Sequence, residues 1–321
     1  MDRARAARLL TLAAGLGLLA AAGETELKAR LHPARWLAAS ADAPRALSTS
    51  FTECLAPPAD AKEAYLVELG RSAFRSPTLL GGQAARAGLA CESCHQAGRR
   101  NPDFYFPGLS GAPGTADVTS ALFSSHRDDG IDNPKPIPDL SSPKSALKVS
   151  QDPARGDLER FIHGLVTEEF DGAEPPPAVL TGLAAYVRAL GPGACPAQAR
   201  ASVRAADFVD EARRSVRAAQ AALTHGDSSA ALLMIDGARW RLGLINERYD
   251  DPGSADARAA LKAADLDLLA AQDAIRAGDK GAEARLSLLL ARSEAWAPIL
   301  AREEKRSLFD PGRLEAEARG R

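Results

Sequence analysis

Residues Cys91-Glu92-Ser93-Cys94-His95 form one C-x-x-C-H motif in a chain of 321 residues. Two thiols at this spacing, followed at once by an imidazole, are the pattern of covalent c-type haem attachment. The order follows from the chemistry. Both thiols form thioethers to the porphyrin edge, and the tether leaves His95 placed to bind the iron from one face. A thioredoxin-like dithiol requires a βαβ pattern nearby, and the flanking Gly, Ala and loop residues supply none. A zinc site requires a second ligand pair at short spacing, and none follows. The expected cofactor is therefore one covalently bound haem c, with Cys91, Cys94 and His95 as its binding residues and His95 as the proximal iron ligand.

The opposite face of the iron is less determined. Methionine is the usual soft partner, but the chain holds only Met1 and Met234. The first belongs to an export signal and the second to a helical segment far downstream. His126, in a loop, is the leading candidate for distal ligand. His163 on a helix, a water molecule or open position, and a weak oxygen donor such as Tyr105 are the alternatives. Arg99, Arg100 and Arg127 are candidate partners for haem propionates, against the alternative of plain solvated charges.

Arg3, Arg5 and Arg8 precede an apolar run from Leu9 to Ala22, and Ala20-Ala21-Ala22 forms a small-residue cleavage site. Residues 1–22 therefore read as a signal peptide, too short to span a bilayer comfortably. Cleavage removes three arginines and one aspartate, so the formal charge of −2 becomes −4. The expected location is the periplasm, with no stable membrane span after cleavage; an uncleaved tether is the less favoured alternative. The near-neutral balance gives no case for nucleic acid. An oxidising compartment permits disulfides, and Cys54 and Cys195 bracket the C-x-x-C-H region. They are expected to pair, closing a loop of about 140 residues, worth roughly 4–5 kcal/mol in the chain-entropy model.

The expected fold is all-α. Residues 23–53 read as an extended lead-in, with Trp36 either packed on the haem domain or at the surface. From Asp60 an apolar stripe (Leu66, Leu69, Ala73) predicts a helix that ends at Ser76-Pro77. Glycines and prolines then make the chain loop-rich, and Asn133 to Pro138 must be extended because alternating prolines bar helix. Asn133 to Leu140 is either a rigid lid on one haem edge or a plain extended linker. Helix is expected again from Ala154 to about Phe170, and along Leu180, Leu183, Val187 and Leu190. Residues 199–308 carry four stripes at spacings of three and four. Ala218-Ala219-Gln220-Ala221-Ala222-Leu223 before Gly226-Asp227 repeats as Ala270-Ala271-Gln272-Asp273-Ala274-Ile275 before Gly278-Asp279. This predicts an antiparallel bundle of two tandem helical hairpins, followed by a frayed, charged tail at 309–321.

The helix before the motif and the terminal helix with Leu183, Tyr186 and Val187 resemble the outer helix pair of the cytochrome c fold. The stretches Phe74–Gly82, Gly88–Gln96 and Pro113–Ser120 resemble haem domains of the di-haem cytochrome c peroxidase and MauG-like superfamily, over about residues 54–195 of a c-type cytochrome domain expected at 54–198. That resemblance implies a cytochrome c-like domain with long loops. It also implies peroxidase-type or MauG-like chemistry, but those enzymes carry two haem motifs and this chain has one. Electron transfer to a redox partner protein, with another haem protein as one candidate partner, is therefore the preferred expectation. A peroxidase-type enzyme that borrows a second haem is the alternative, and Glu92, Glu168, Glu169 and His126 are its candidate distal groups. A sensor or structural haem module is a third reading.

Overall fold

The computed structural model describes residues 26–127, 130–194 and 200–320. The fold is predominantly helical, with two small antiparallel sheets. The expected signal peptide lies outside the described residues.

Helix α1 spans Ala43–Ser48 and leads into β1, Thr49–Phe51. Helix α2 spans Ala61–Ala73. Asp60 caps it by accepting from the Glu63 amide at 2.8 Å, and the Glu63 carboxylate accepts in turn from Ala59 N at 2.6 Å. The two bonds satisfy amides that have no partner within the helix. Two short helices follow, α3 (Pro77–Leu80) and α4 (Gly82–Ala87), and then α5, the turn Cys91–Cys94.

The loop region is organised rather than open. Strand β2 (Thr115–Ala116) pairs with β3 (Lys135–Pro136). Asp117 holds the amides of Thr119 and Asn133. Phe123 packs on Phe106 and Phe170, with ring centroids 5.1 and 6.0 Å apart. The helix expected from Ala154 to Phe170 is shorter and changes character. Helix α6 covers Asp157–Gly164, and a π-helical turn, Leu165–Glu169, completes it. Such turns are rare and concentrate at functional sites.

Helix α7 spans Pro177–Ala189 and crosses α2 at the glycine pair Gly70 and Gly182. Beyond β4 (Arg200–Ser202), which pairs with β1, come four long helices. They are α8 (Ala205–Thr224), α9 (Ser228–Asn246), α10 (Ala255–Arg276) and α11 (Ala282–Glu303). Each packs on its neighbour and α11 returns to α8, so the expected bundle closes into a ring. Both repeat copies turn at a glycine with positive φ, +74° at Gly226 and +68° at Gly278. Asp227 then caps α9 through Ala230 N, whereas Asp279 holds Gly281 N and α11 begins one residue later.

Three expectations need correction. The lead-in is not extended throughout: it carries a 3-10 turn at His32–Trp36 as well as α1, and Trp36 is 8% exposed, within the core. The 309–321 tail is not frayed. Pro311–Ala318 forms a helix, α12, and Leu308 and Leu314 are wholly buried against Leu27, Leu31 and Leu47. Lead-in and tail thus share a small second core, which the apolar residues of neither could form alone. Finally, the units expected at 54–198 and 199–308 are not separate: among the described residues they share one continuous apolar core, because α2 packs directly on α8 and α9.

Candidate functional site

The C-x-x-C-H turn is fastened on every side. Ala90 N donates to Ser93 Oγ at 3.1 Å, which caps α5 from within. Glu92 N donates to Phe74 O at 3.1 Å. Asn101 closes the far end, its side-chain amide on Ser93 O at 2.9 Å and its backbone N on Cys94 O at 3.0 Å. Just beyond, Gly98 sits at φ +73°, and a Cβ there would lie 2.4 Å from Leu190 Cδ1, so only glycine lets the chain turn against α7.

His95 Nδ1 lies 3.0 Å from Pro138 O. A carbonyl only accepts, so Nδ1 carries the hydrogen and Nε2 holds the free lone pair. Metal-binding histidines are oriented by this type of bond from the other ring nitrogen. Burial pushes the imidazole down to about 4, against the opposing effect of the Pro138 contact. The ring is therefore neutral at neutral pH, the form that binds a metal. The extended Asn133–Pro138 segment is accordingly more than a plain linker, since its last residue orients His95.

Cys91 and Cys94 are free thiols. Burial pushes the Cys91 thiol up to about 12, and burial together with Cys91 raises Cys94 as well. A redox-active dithiol needs the opposite shift. Cys91 and Cys94 pack against the continuous apolar core to which Phe74 belongs. The Phe74 ring stands 6.3 Å from His95. Two adjacent thiols, a neutral imidazole with Nε2 available and aromatic side chains fit a covalently tethered haem; His95 would hold the iron and Cys91 and Cys94 the porphyrin.

The other candidates are dispersed. The His126 side chain is 64% exposed and stands 3.9 Å from Asp171. His163 Nε2 meets Glu174 at 2.7 Å. Met234 is buried in the bundle. Tyr105 is tied by its amide to Trp36 O at 2.7 Å. Arg127 pairs with Glu168, and Arg99 donates to Cys54 Sγ at 2.7 Å. Of the candidate distal acids, Glu92 is held by Arg75 and Arg241 at 3.1 and 3.0 Å. Glu169, on the π-helical turn, differs: its Oε2 is buried without a hydrogen-bond partner among the described residues, and burial raises its pKa.

Cys54 is 1% exposed and is not a free thiol. Its backbone carbonyl accepts from Gly191 N at 3.0 Å. Cys195, its expected partner four residues further on, lies outside the described residues.

The sequence reading missed a buried charge network behind the motif. Glu53 binds Arg71 and Arg75 at 2.6 and 2.7 Å and accepts from Tyr186 Oη at 2.6 Å. Arg71 also binds Glu211 of α8 at 2.6 Å. Glu92 completes the chain to Arg241 of α9. Although burial opposes it, the two guanidinium groups hold the Glu53 carboxyl down at about 2. The motif is thereby bolted to the lead-in, α2 and the bundle at once. The only advance signal was the charge of these residues beside apolar stripes.

No family model, no characterised protein and no solved structure matches this chain. The class defined by the geometry is accordingly the coarse one: an all-α protein with an organised C-x-x-C-H turn packed on a four-helix bundle.

Proposed function

We propose that this protein is an exported mono-haem c-type cytochrome that passes electrons to a redox partner protein. The observation that carries the reading is the His95–Pro138 pair beside two un-ionised thiols on one helical turn. Haem c, when bound, would supply a one-electron iron couple. The protein's own residues do the rest. Cys91 and Cys94 tether the porphyrin edge, and Pro138 O keeps Nε2 of His95 aimed at one face. Phe74, whose ring stands 6.3 Å from His95, covers the imidazole with apolar surface. The Glu92 bridges to Arg75 and Arg241 hold the turn rigid, which limits the rearrangement that accompanies a change of charge. With no methionine in the haem region, the potential is expected below that of a His/Met cytochrome.

Glu169 favours a second reading, a peroxidase-like enzyme working with a partner's haem. Glu169 Oε1 faces Arg127 at 3.9 Å while its Oε2 is buried without a hydrogen-bond partner among the described residues, and a carboxyl so placed is the type of group that carries a proton in general acid–base chemistry. Two measurements decide. Acidic organic extraction of the mature protein, made in cells with haem-attachment machinery, should leave the pigment on the polypeptide; release of the pigment, or none at all, ends both readings. Stopped-flow mixing of the reduced protein with hydrogen peroxide should give slow oxidation without turnover; rapid turnover through a ferryl species would replace electron transfer by the enzymatic reading.

A further inference from the structure

We propose that the cavity enclosed by the lead-in, α2 and the first hairpin of the bundle binds a small organic anion, a carboxylate with an aromatic or apolar body. The cavity measures about 410 Å³, within the range of small-molecule sites of roughly 300–1,000 Å³, which favour boundaries between packed units.

The charge on its wall is unbalanced. Glu53, Glu92 and Glu211 line it, and each is matched by Arg71, Arg75 or Arg241. Asp103 and Asp207 on the same wall pair with Arg45 and Arg204. Arg248 and Arg200 also line the cavity, and among the described residues neither has a carboxylate oxygen within 4.0 Å. Arg248 is 3% exposed; it donates to Leu308 O at 2.9 Å and Leu47 O at 2.8 Å, and its guanidinium lies over the rings of Phe309 and Phe208, 4.7 and 5.7 Å from their centroids. Arg200 donates to Thr49 O at 2.9 Å and Thr49 Oγ1 at 2.8 Å. Leu47 and Thr49 are two residues apart, so both cations converge on one stretch of the lead-in.

A buried cation without a counter-ion is costly, and an anion brought beside it offsets that cost. Burial pushes the Arg248 guanidinium down to about 10, outweighing the opposing effect of the neighbouring Glu247 carboxylate. Guanidinium groups suit carboxylates because the planar fork presents two parallel donors. The rest of the wall fits the ligand's body: Trp240 and Trp36 supply aromatic surface, while the Phe208 ring carries the guanidinium groups of Arg241 and Arg248. Glu92, Ser93 and Gln96 close one side, so a bound ligand touches the back of the turn that carries His95.

Calorimetric titration of the mature, full-length protein tests the site, with benzoate as the anionic probe and benzamide as its neutral isostere. Benzoate should bind saturably, one per chain, and benzamide at least about tenfold more weakly, as expected for loss of a charge-assisted bond. Arg248→Met should weaken benzoate about tenfold or more. If that variant fails to fold, Arg200→Gln decides, with circular dichroism confirming its fold and benzoate binding expected to drop measurably. Absence of saturable benzoate binding at millimolar concentration overturns the proposal. So does equal binding of benzamide, or affinity unchanged in a folded arginine variant. None of these readouts depends on haem, so they leave the electron-transfer reading untouched.

Discussion

Gly70 of α2 and Gly182 of α7 approach so closely that a Cβ on Gly70 would lie 1.9 Å from the Gly182 carbonyl oxygen. The reverse substitution is also blocked, since a Cβ on Gly182 would lie 2.8 Å from Leu66 O and 2.9 Å from Gly70 N. Two helix backbones therefore touch without side chains between them, and this crossing sets the frame on which the C-x-x-C-H turn rests.

Gly70→Ala should lower stability by about 3 kcal/mol, at the upper end of overpacking costs, because backbone rather than a flexible side chain must move. Urea titration followed by circular dichroism measures it through the midpoint. A loss under about 1 kcal/mol would mean that the helices separate easily.

The Glu53 carboxyl, held down at about 2 from a reference of 4.5, makes stability depend on acid. A lowered carboxyl pKa contributes stability that is complete above pH 5 and is lost as pH falls towards 2. The shift corresponds to about 3 kcal/mol. Urea midpoints taken from pH 6 down to pH 3 should fall in the parent protein and fall less steeply in Glu53→Gln. Equal slopes would show that Glu53 does not carry the effect.

Arg75→Met removes a cation that faces Glu53 and Glu92 and is itself buried. Removing one partner from a buried ionic network costs about 3–5 kcal/mol, because the remaining charges lose their match. Thermal unfolding should register the change as a lowered midpoint. A neutral result would mean that water compensates the carboxylates.

The Cys54–Cys195 pair should appear as one disulfide-linked peptide in a non-reducing digest of the mature protein. Its reduction should cost about 4 kcal/mol by the chain-entropy estimate. Two alkylatable thiols besides Cys91 and Cys94 would sink this pairing.

Replacing both Cys91 and Cys94 by alanine should abolish covalent pigment while the fold persists, since both thiols lie on a single turn fastened by Ser93 and Asn101. Intact mass of the purified protein reads this directly. A mass increment equal to one porphyrin in the double variant would contradict the tether.

Much of the helical architecture was legible in advance because its cause is local. The stripes at spacings of three and four predicted the bundle, and Asp60 and the glycines at 226 and 278 marked helix ends through capping and positive φ. The helix boundary at Gly164 was not legible, since a π-helical turn has almost the same composition as the α-helix it extends. Nor was the tail helix, whose few apolar residues among many charges gain their burial only from the lead-in.

From residue order alone came the C-x-x-C-H turn, the lack of a usable methionine and the all-α class, because covalent spacing and helical periodicity act over a few residues. Only the folded chain decided that Pro138 orients His95, that Gly70 meets Gly182, and that Glu53, Arg75, Glu92 and Arg241 form one buried network. Those contacts join residues 17 to 149 positions apart. Their geometry depends on how helices cross, and no local pattern encodes a crossing.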